Sequence, residues 1–592
     1  MNARKRCFFA LAALVALLRP AAAQDYDRAS DPALVPAGDP AYALAEEAAL
    51  AAGLARPAME GPATVGQLWS ALLAALDLDP GAHGALDSFS ALFPDPRGPV
   101  DYALKGAAAL GWDGIPNPDP YIIIDEFEPG SATPIFSAGD RHYLDPARVS
   151  QLLERADLLN VQLLLRAGPL AALMQPLIRP ATNVYRADTG VWTNLAILAD
   201  PGRVDVNMPY RGAASVLVDN FQFRFGRDQV QLGPGRHSSL GLGYNLPYAD
   251  HAFARASFGT FDVSWYLVRL NPVISQKEEA YLILLREHPE YQLEDNAWYQ
   301  LQGLERSKHL AATRLTWRAA PWLALAATQY HLVGGRTMQL VDFNPFILFH
   351  NLFQEGEYSV PATLDFSAVP LPGLELYGQY MLYDATVADE TATTSNAGAS
   401  AWQLGLTALS TPWFDAGPGR LRLDLELAKT DPWIYGKFIS WRQFTSRFIL
   451  VEPYAGRFWV DYPIGFHLGP DAWELWSRLS YGRLGDWDLA LETAYSVRGS
   501  VSLEGYGDDA DYANKDAFVD SGWVIVEPGQ APERLLSVRL SAQWKPGRGD
   551  LPGRPGLSLA ASAGFCWLWN PGWVPGGLDL WPTAELAASF SL

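Results

Sequence analysis

Ten side chains have the chemistry to hold a polar ligand. Arg227, Arg236 and His237 flank a Gly233-Pro234-Gly235 turn; Tyr377, Gln379 and Tyr383 fall on alternate positions of one segment, and Arg422, Asp424 and Glu426 on alternate positions of another, with Trp433 just beyond. Arginine and histidine suit acidic groups. Carboxylates and amides suit hydroxyls, and aromatic faces stack on the CH faces of a pyranose ring. The same residues have plainer uses. Arg227 or Arg236 can pair with Asp228 or another carboxylate, and charges of both signs along one face can cross-link each other rather than line a selective pore.

What would position them is a series of strands. In Gly419–Lys429, Leu421, Leu423, Leu425 and Leu427 alternate with Arg420, Arg422, Asp424 and Glu426. Successive strand residues point to opposite faces, so this segment has a leucine face and a charged face. Leu374, Leu376, Gly378, Tyr380 and Leu382 alternate in the same way with Glu375, Tyr377, Gln379, Met381 and Tyr383, and Leu536–Trp544 repeats the pattern. Trp473–Tyr481 and Trp487–Tyr495 form a hairpin through Arg483-Leu484-Gly485-Asp486. Short turns on one side and long polar stretches on the other (384–400 and 505–520) suit an outer-membrane barrel, with leucines toward lipid and charges toward the lumen.

The flanking signals agree. Met1–Ala23 has a basic start at Arg4, Lys5 and Arg6, a short apolar run and Ala21-Ala22-Ala23 before Gln24, the pattern of a cleavable signal peptide. Removing it leaves Cys566 alone of the chain's 2 cysteines, so no internal disulfide is expected. No apolar run reaches the ~18 residues of a helical span. The 21 Trp, 25 Tyr and 26 Phe would furnish aromatic girdles. The formal net charge of -21 makes nucleic acid a poor partner. Ala584, Leu586, Ala588, Phe590 and Leu592 alternate to the end, like the final-strand signal read by barrel-insertion machinery.

Two regions follow the signal. Residues 24–157 read as a mainly α-helical periplasmic domain or plug. Asp39 caps a helix with Pro40 in its first turn and Gly53 at its exit, Thr64 caps a second, and Pro146–Ala156 is a third. Residues 158–592 read as an all-β transmembrane barrel. At roughly 24 residues per strand and connection, about 18 antiparallel strands fit.

Several segments resemble one family. The run Phe225–Leu240, with Gly226-Arg227, Gly233-Pro234-Gly235 and Ser239-Leu240, is similar to the hallmark of the capsule-assembly Wzi family, with Leu232 where that family carries Trp. Asn245-Leu246-Pro247, Asn344-Pro345-Phe346, Thr430–Trp433 and Leu468–Asp471 resemble further landmarks in the family's order. The resemblance implies a monomeric outer-membrane barrel closed at its periplasmic mouth by a small helical bundle. It also implies a lectin-like role, without catalysis, in attaching surface polysaccharide to the cell. Gly81–Tyr143 has no place in that pattern. The alternative is a porin or small-solute channel.

No catalytic or metal motif emerges. The Gly-Pro-Gly run lacks the Lys-Ser/Thr ending and following helix of a phosphate loop, and reads as a turn or bulge in the barrel wall. The 9 histidines fall singly, without zinc-ligand spacing. Asp508, Asp509 and Asp511 lack the Gly and terminal Glu of a calcium loop. No cofactor is expected.

Overall fold

The protein is described by a computed structural model covering residues 28–36, 39–93, 95, 100–113, 158–180, 192–193, 204–246, 248–271, 307–335, 337–347, 358–384, 399–410, 419–436, 443–452, 456–483, 487–501, 503, 518–545 and 556–591. The signal segment, the expected helix Pro146–Ala156 and the Asp508–Asp511 run lie outside these residues.

Eighteen long strands form a closed antiparallel barrel. In chain order they are β1 (Val100–Asp113), β2 (Leu159–Ala167), β3 (Leu170–Pro180), β4 (Val204–Val218), β5 (Phe221–Asp228), β6 (Ala249–Phe258), β7 (Phe261–Arg269), β8 (Lys308–Ala320) and β9 (Leu323–Gly334). There follow β10 (Ala362–Leu371), β11 (Leu374–Asp384), β12 (Ala399–Leu409), β13 (Arg420–Thr430), β14 (Ala472–Arg483), β15 (Trp487–Arg498), β16 (Glu533–Trp544), β17 (Gly556–Trp569) and β18 (Leu578–Ser591). Consecutive strands pair, and β1 closes the ring against β18 with Ala109 opposite Ala587. Closure leaves no unpaired sheet edge, so the backbone is satisfied without water.

Alternation sorts the faces as the sequence predicts. Leu364, Leu404, Leu475, Leu491, Leu540 and Leu586 are exposed, whereas Thr363, Asp365, Gln403, Asp424 and Glu426 are buried. Aromatic contacts cluster at both rims. Phe261 stacks on Trp317 at 5.9 Å near the short turns, and Trp473 meets Tyr495 and Trp523 at 5.5 Å near the long loops. No helix among the described residues is long and apolar enough to cross a membrane.

The short-turn end holds α1 (Pro40–Ala51), α2 (Val65–Leu76) and α3 (His83–Leu92). Asp39 accepts the Ala41 N–H at 3.0 Å, and Thr64 and Gln67 form a reciprocal capping box. The bundle's apolar core, with Leu44, Leu68, Leu72 and Phe89, continues onto Leu164 and Ala171 of the barrel wall. Leu50 packs on Val369 and Leu409, and the Gly373 N–H donates to its carbonyl at 2.8 Å. The helices are therefore seated in that mouth.

One expectation is corrected. The barrel begins at Val100 rather than 158, so the strands from 158 onward number seventeen and β1 supplies the other. Rich in Ala and Gly, β1 has little contrast between its faces; Gly106 lies opposite Phe590, whose ring occupies the space a Cβ would need. The third described helix is His83–Leu92, inside the stretch that had no place in the family pattern.

Candidate functional site

The long-loop end also turns inward. The connection after β5 does not form a bulge in the wall, as its glycines led us to expect, but descends into the lumen. Gly233 has φ 130 and Gly235 sits against the Ser238 carbonyl, leaving no room for a Cβ at either position. There it meets chain arriving from the helical end. Glu60 and Gly61 pair antiparallel with Leu232 and Gln231, and the Gly233 N–H donates to the Met59 carbonyl at 2.9 Å. A second inward connection, between β13 and β14, contributes Ile434, Tyr435, Phe444 and Phe466 to an apolar cluster with Leu232 and Leu240. The Tyr435 hydroxyl donates to the Leu240 carbonyl at 2.7 Å.

Lumenal wall residues hold this loop. The Glu426 carboxylate accepts backbone N–H groups from Arg236 at 2.7 Å and Ser238 at 3.0 Å, and the Tyr377 hydroxyl at 3.0 Å. Gln379 accepts the Leu240 N–H at 2.7 Å and donates to the Leu232 carbonyl at 3.2 Å. Arg236 pairs with Glu46 of α1, with Glu375 at 2.7 Å and with Asp424 at 3.2 Å, and donates to Thr407 at 2.7 Å. Arg56 is bidentate on Glu375 at 3.1 Å and 3.1 Å. Arg422 pairs with Asp424 at 2.8 Å and Glu47 at 3.4 Å. Burial alone would neutralise Glu46, but Arg236, Arg56 and Arg422 outweigh it and hold the carboxyl below its ordinary range. Burial likewise works against charge on Arg236, and Glu46, Glu375 and Asp424 reverse it, raising its pKa well above the ordinary value.

The ten sequence-selected residues thus divide. Arg236, Tyr377, Gln379, Arg422, Asp424 and Glu426 converge, but mostly on each other and on the inserted loop. Tyr383 lies deeper in the apolar cluster, its hydroxyl 3.4 Å from the Gly436 carbonyl, and Trp433 packs edge-on against Phe518. Arg227 stands apart, bidentate on Asp250 at 2.6 Å and 2.9 Å and lying over the Tyr248 ring. His237 leaves the network and stacks on Trp476, with ring centroids 5.1 Å apart and planes 6° from parallel. Its Nε2 is 3.0 Å from Glu474, whose other oxygen lies 3.5 Å from His467 Nε2. The sequence signal for that cluster was absent, because it joins two loops and a strand.

Between α1 and the wall formed by β13–β16 lies a cavity of about 580 Å³. Glu47, Arg422, Trp476, Arg478, Glu492 and Gln543 line it, and it extends to Gly482 and Asp488 beside the short turns. The Trp476 indole N–H has no acceptor among the described residues. An aromatic face, an amide and charges of both signs therefore surround one space. Sequence reasoning found Arg236, His237, Arg422 and Asp424 here but not Trp476, Arg478, Glu492 or Gln543.

No protein-family model and no curated protein sequence matches the chain. Solved structures do. Wzi, an outer-membrane protein involved in group 1 capsule assembly in Escherichia coli and described as a carbohydrate-binding β-barrel, is 13% identical, with 95% of this chain and 99% of that chain covered and a TM-score of 0.51. OprD of Pseudomonas aeruginosa is 8% identical over 83% of this chain and 95% of its own, with a TM-score of 0.37. OccK5 of the same organism is 10% identical over 83% and 98%, with a TM-score of 0.39. The likeness to Wzi extends over nearly the whole length of both chains and establishes a common fold.

Proposed function

We propose that this chain is an outer-membrane barrel that binds or organises surface polysaccharide without catalysis. The observation that carries this reading is the closure of the lumen from both ends. Helices fill one mouth, inward loops descend from the other, and a buried ion-pair network with an apolar cluster joins them. An open channel has no use for that arrangement. The apolar outer face and aromatic rims suit lipid on the outside. The cavity beside Trp476 has the mix of ring face, amide and charge that sugar hydroxyls and acidic groups require. The resemblance of the Phe225–Leu240 run and the fold shared with Wzi support the same class of ligand. The expected partners are outer-membrane lipid, the cell's own surface polysaccharide and the barrel-insertion machinery, for a monomer with no nucleic acid.

The test is binding of the purified, detergent-solubilised protein to the polysaccharide of its own cell surface, with retention of that polysaccharide in a deletion strain. Binding together with a loss of retention is expected. Absence of both overturns the proposal. Planar-bilayer recording addresses the porin alternative, which a steady ionic current through the intact protein would favour.

A further inference from the structure

The geometry points to a divalent transition-metal site, of the kind that binds zinc, formed by His237, His467 and Glu474. His237 comes from the loop after β5, His467 from the loop between β13 and β14, and Glu474 from the lumenal face of β14. One ligand atom from each lies within 4.8 Å of the others. His237 Nε2 lies 3.0 Å from one Glu474 oxygen and His467 Nε2 lies 3.5 Å from the other, both near the spacing of about 3.4 Å between ligands on a tetrahedral zinc with bonds of about 2.0–2.1 Å. The remaining separation, between the two imidazoles, lies within 4.8 Å. Two imidazoles with one carboxylate favour zinc-class ions over calcium or magnesium, which demand oxygen ligands.

The surroundings suit such an ion. Glu474 is buried, so its charge gains more from a cation than a solvated carboxylate would. Trp476 stacks on His237 and restrains its ring, and both line the cavity, giving an ion a route in and leaving its fourth position to water. A metal here would tie both inward loops to one wall strand. We assign it a structural role, clipping the plug in place, independent of any polysaccharide.

The probe is Zn2+ alone, added to the full-length detergent-solubilised protein after treatment with chelator, with Co2+ as a spectroscopic substitute. One equivalent of Zn2+ is expected by calorimetry, with the intense visible absorption of four-coordinate Co2+. His467→Gln and Glu474→Gln should each weaken binding at least as much as loss of an outer-shell partner, about 10–100-fold. Glu474→Gln retains hydrogen-bonding capacity toward both imidazoles and serves if His467→Gln fails to fold. Zn2+ should also slow backbone hydrogen exchange at residues 234–246 and 464–471. Absence of stoichiometric Zn2+ binding to the wild type overturns the proposal. So does equal affinity in wild type and Glu474→Gln, or binding that leaves exchange in both loops unchanged.

Discussion

Arg236 and Glu46 enter the barrel from opposite ends and form an ion pair inside it. Glu46 arrives on α1 from the short-turn mouth, and Arg236 on a loop from the long-loop mouth. Glu375 and Asp424 on the wall complete the arginine's surroundings at 2.7 Å and 3.2 Å. One guanidinium therefore joins helical plug, inserted loop and barrel wall.

Arg236→Ala should be strongly destabilising. It leaves Glu46, Glu375 and Asp424 buried with less compensating charge, the situation in which breaking a buried pair costs about 3–5 kcal/mol. The check is thermal unfolding of the detergent-solubilised protein, followed by loss of the compact, heat-modifiable form on electrophoresis. An unchanged midpoint would show that the plug is held elsewhere.

Arg227→Ala provides the contrast. The Arg227 and Asp250 side chains are 33% and 38% exposed, so their pair is worth only about 0–1 kcal/mol. The same unfolding measurement should place this variant close to wild type. A drop comparable to that of Arg236→Ala would contradict the division of the ten residues drawn here.

Gly405→Val should loosen the inserted loop. Gly405 lies opposite Tyr377, whose ring occupies the space of a Cβ at that position. The added side chain would displace the Tyr377 hydroxyl from Glu426, which also holds the loop's backbone. Overpacking of this kind costs about 1–3 kcal/mol. Faster hydrogen exchange at Arg236 and Ser238 is the expected result. Unaltered exchange would mean that Glu426 holds the loop without Tyr377.

Asp471 should make the loop between β15 and β16 sensitive to pH. Burial pushes its carboxyl up to about 7, with the Ile525 and Val501 N–H groups partly offsetting that rise. Unfolded, the group titrates near the usual value of about 3.9. Between these values the folded protein holds a proton that the unfolded chain has lost, so stability falls as pH rises through this window. Thermal midpoints should be higher at pH 5 than at pH 8. Asp471→Asn should flatten the difference, and an equally steep slope in that variant would assign it to another group.

Much of the wall was legible because a strand buries alternate residues, and Leu421–Leu427 against Arg420–Glu426 is a local pattern that survives any tertiary arrangement. The caps at Asp39 and Thr64 were legible for the same reason: a side chain bonding within its own helical turn needs no distant partner. β1 was missed because its Ala and Gly residues give neither face a signature. The lumenal positions of Tyr377, Gln379, Arg422, Asp424 and Glu426 followed from parity alone.

What occupies those positions was decided only in three dimensions. Arg236 meets Glu46, Glu60 pairs with Leu232, and His237 meets Glu474, and none of these pairs is close in the chain. Local periodicity dictates which way a side chain faces. It carries no information on which distant segment will fold into the enclosed space, because that follows from barrel closure and from the need of buried charges to find compensation.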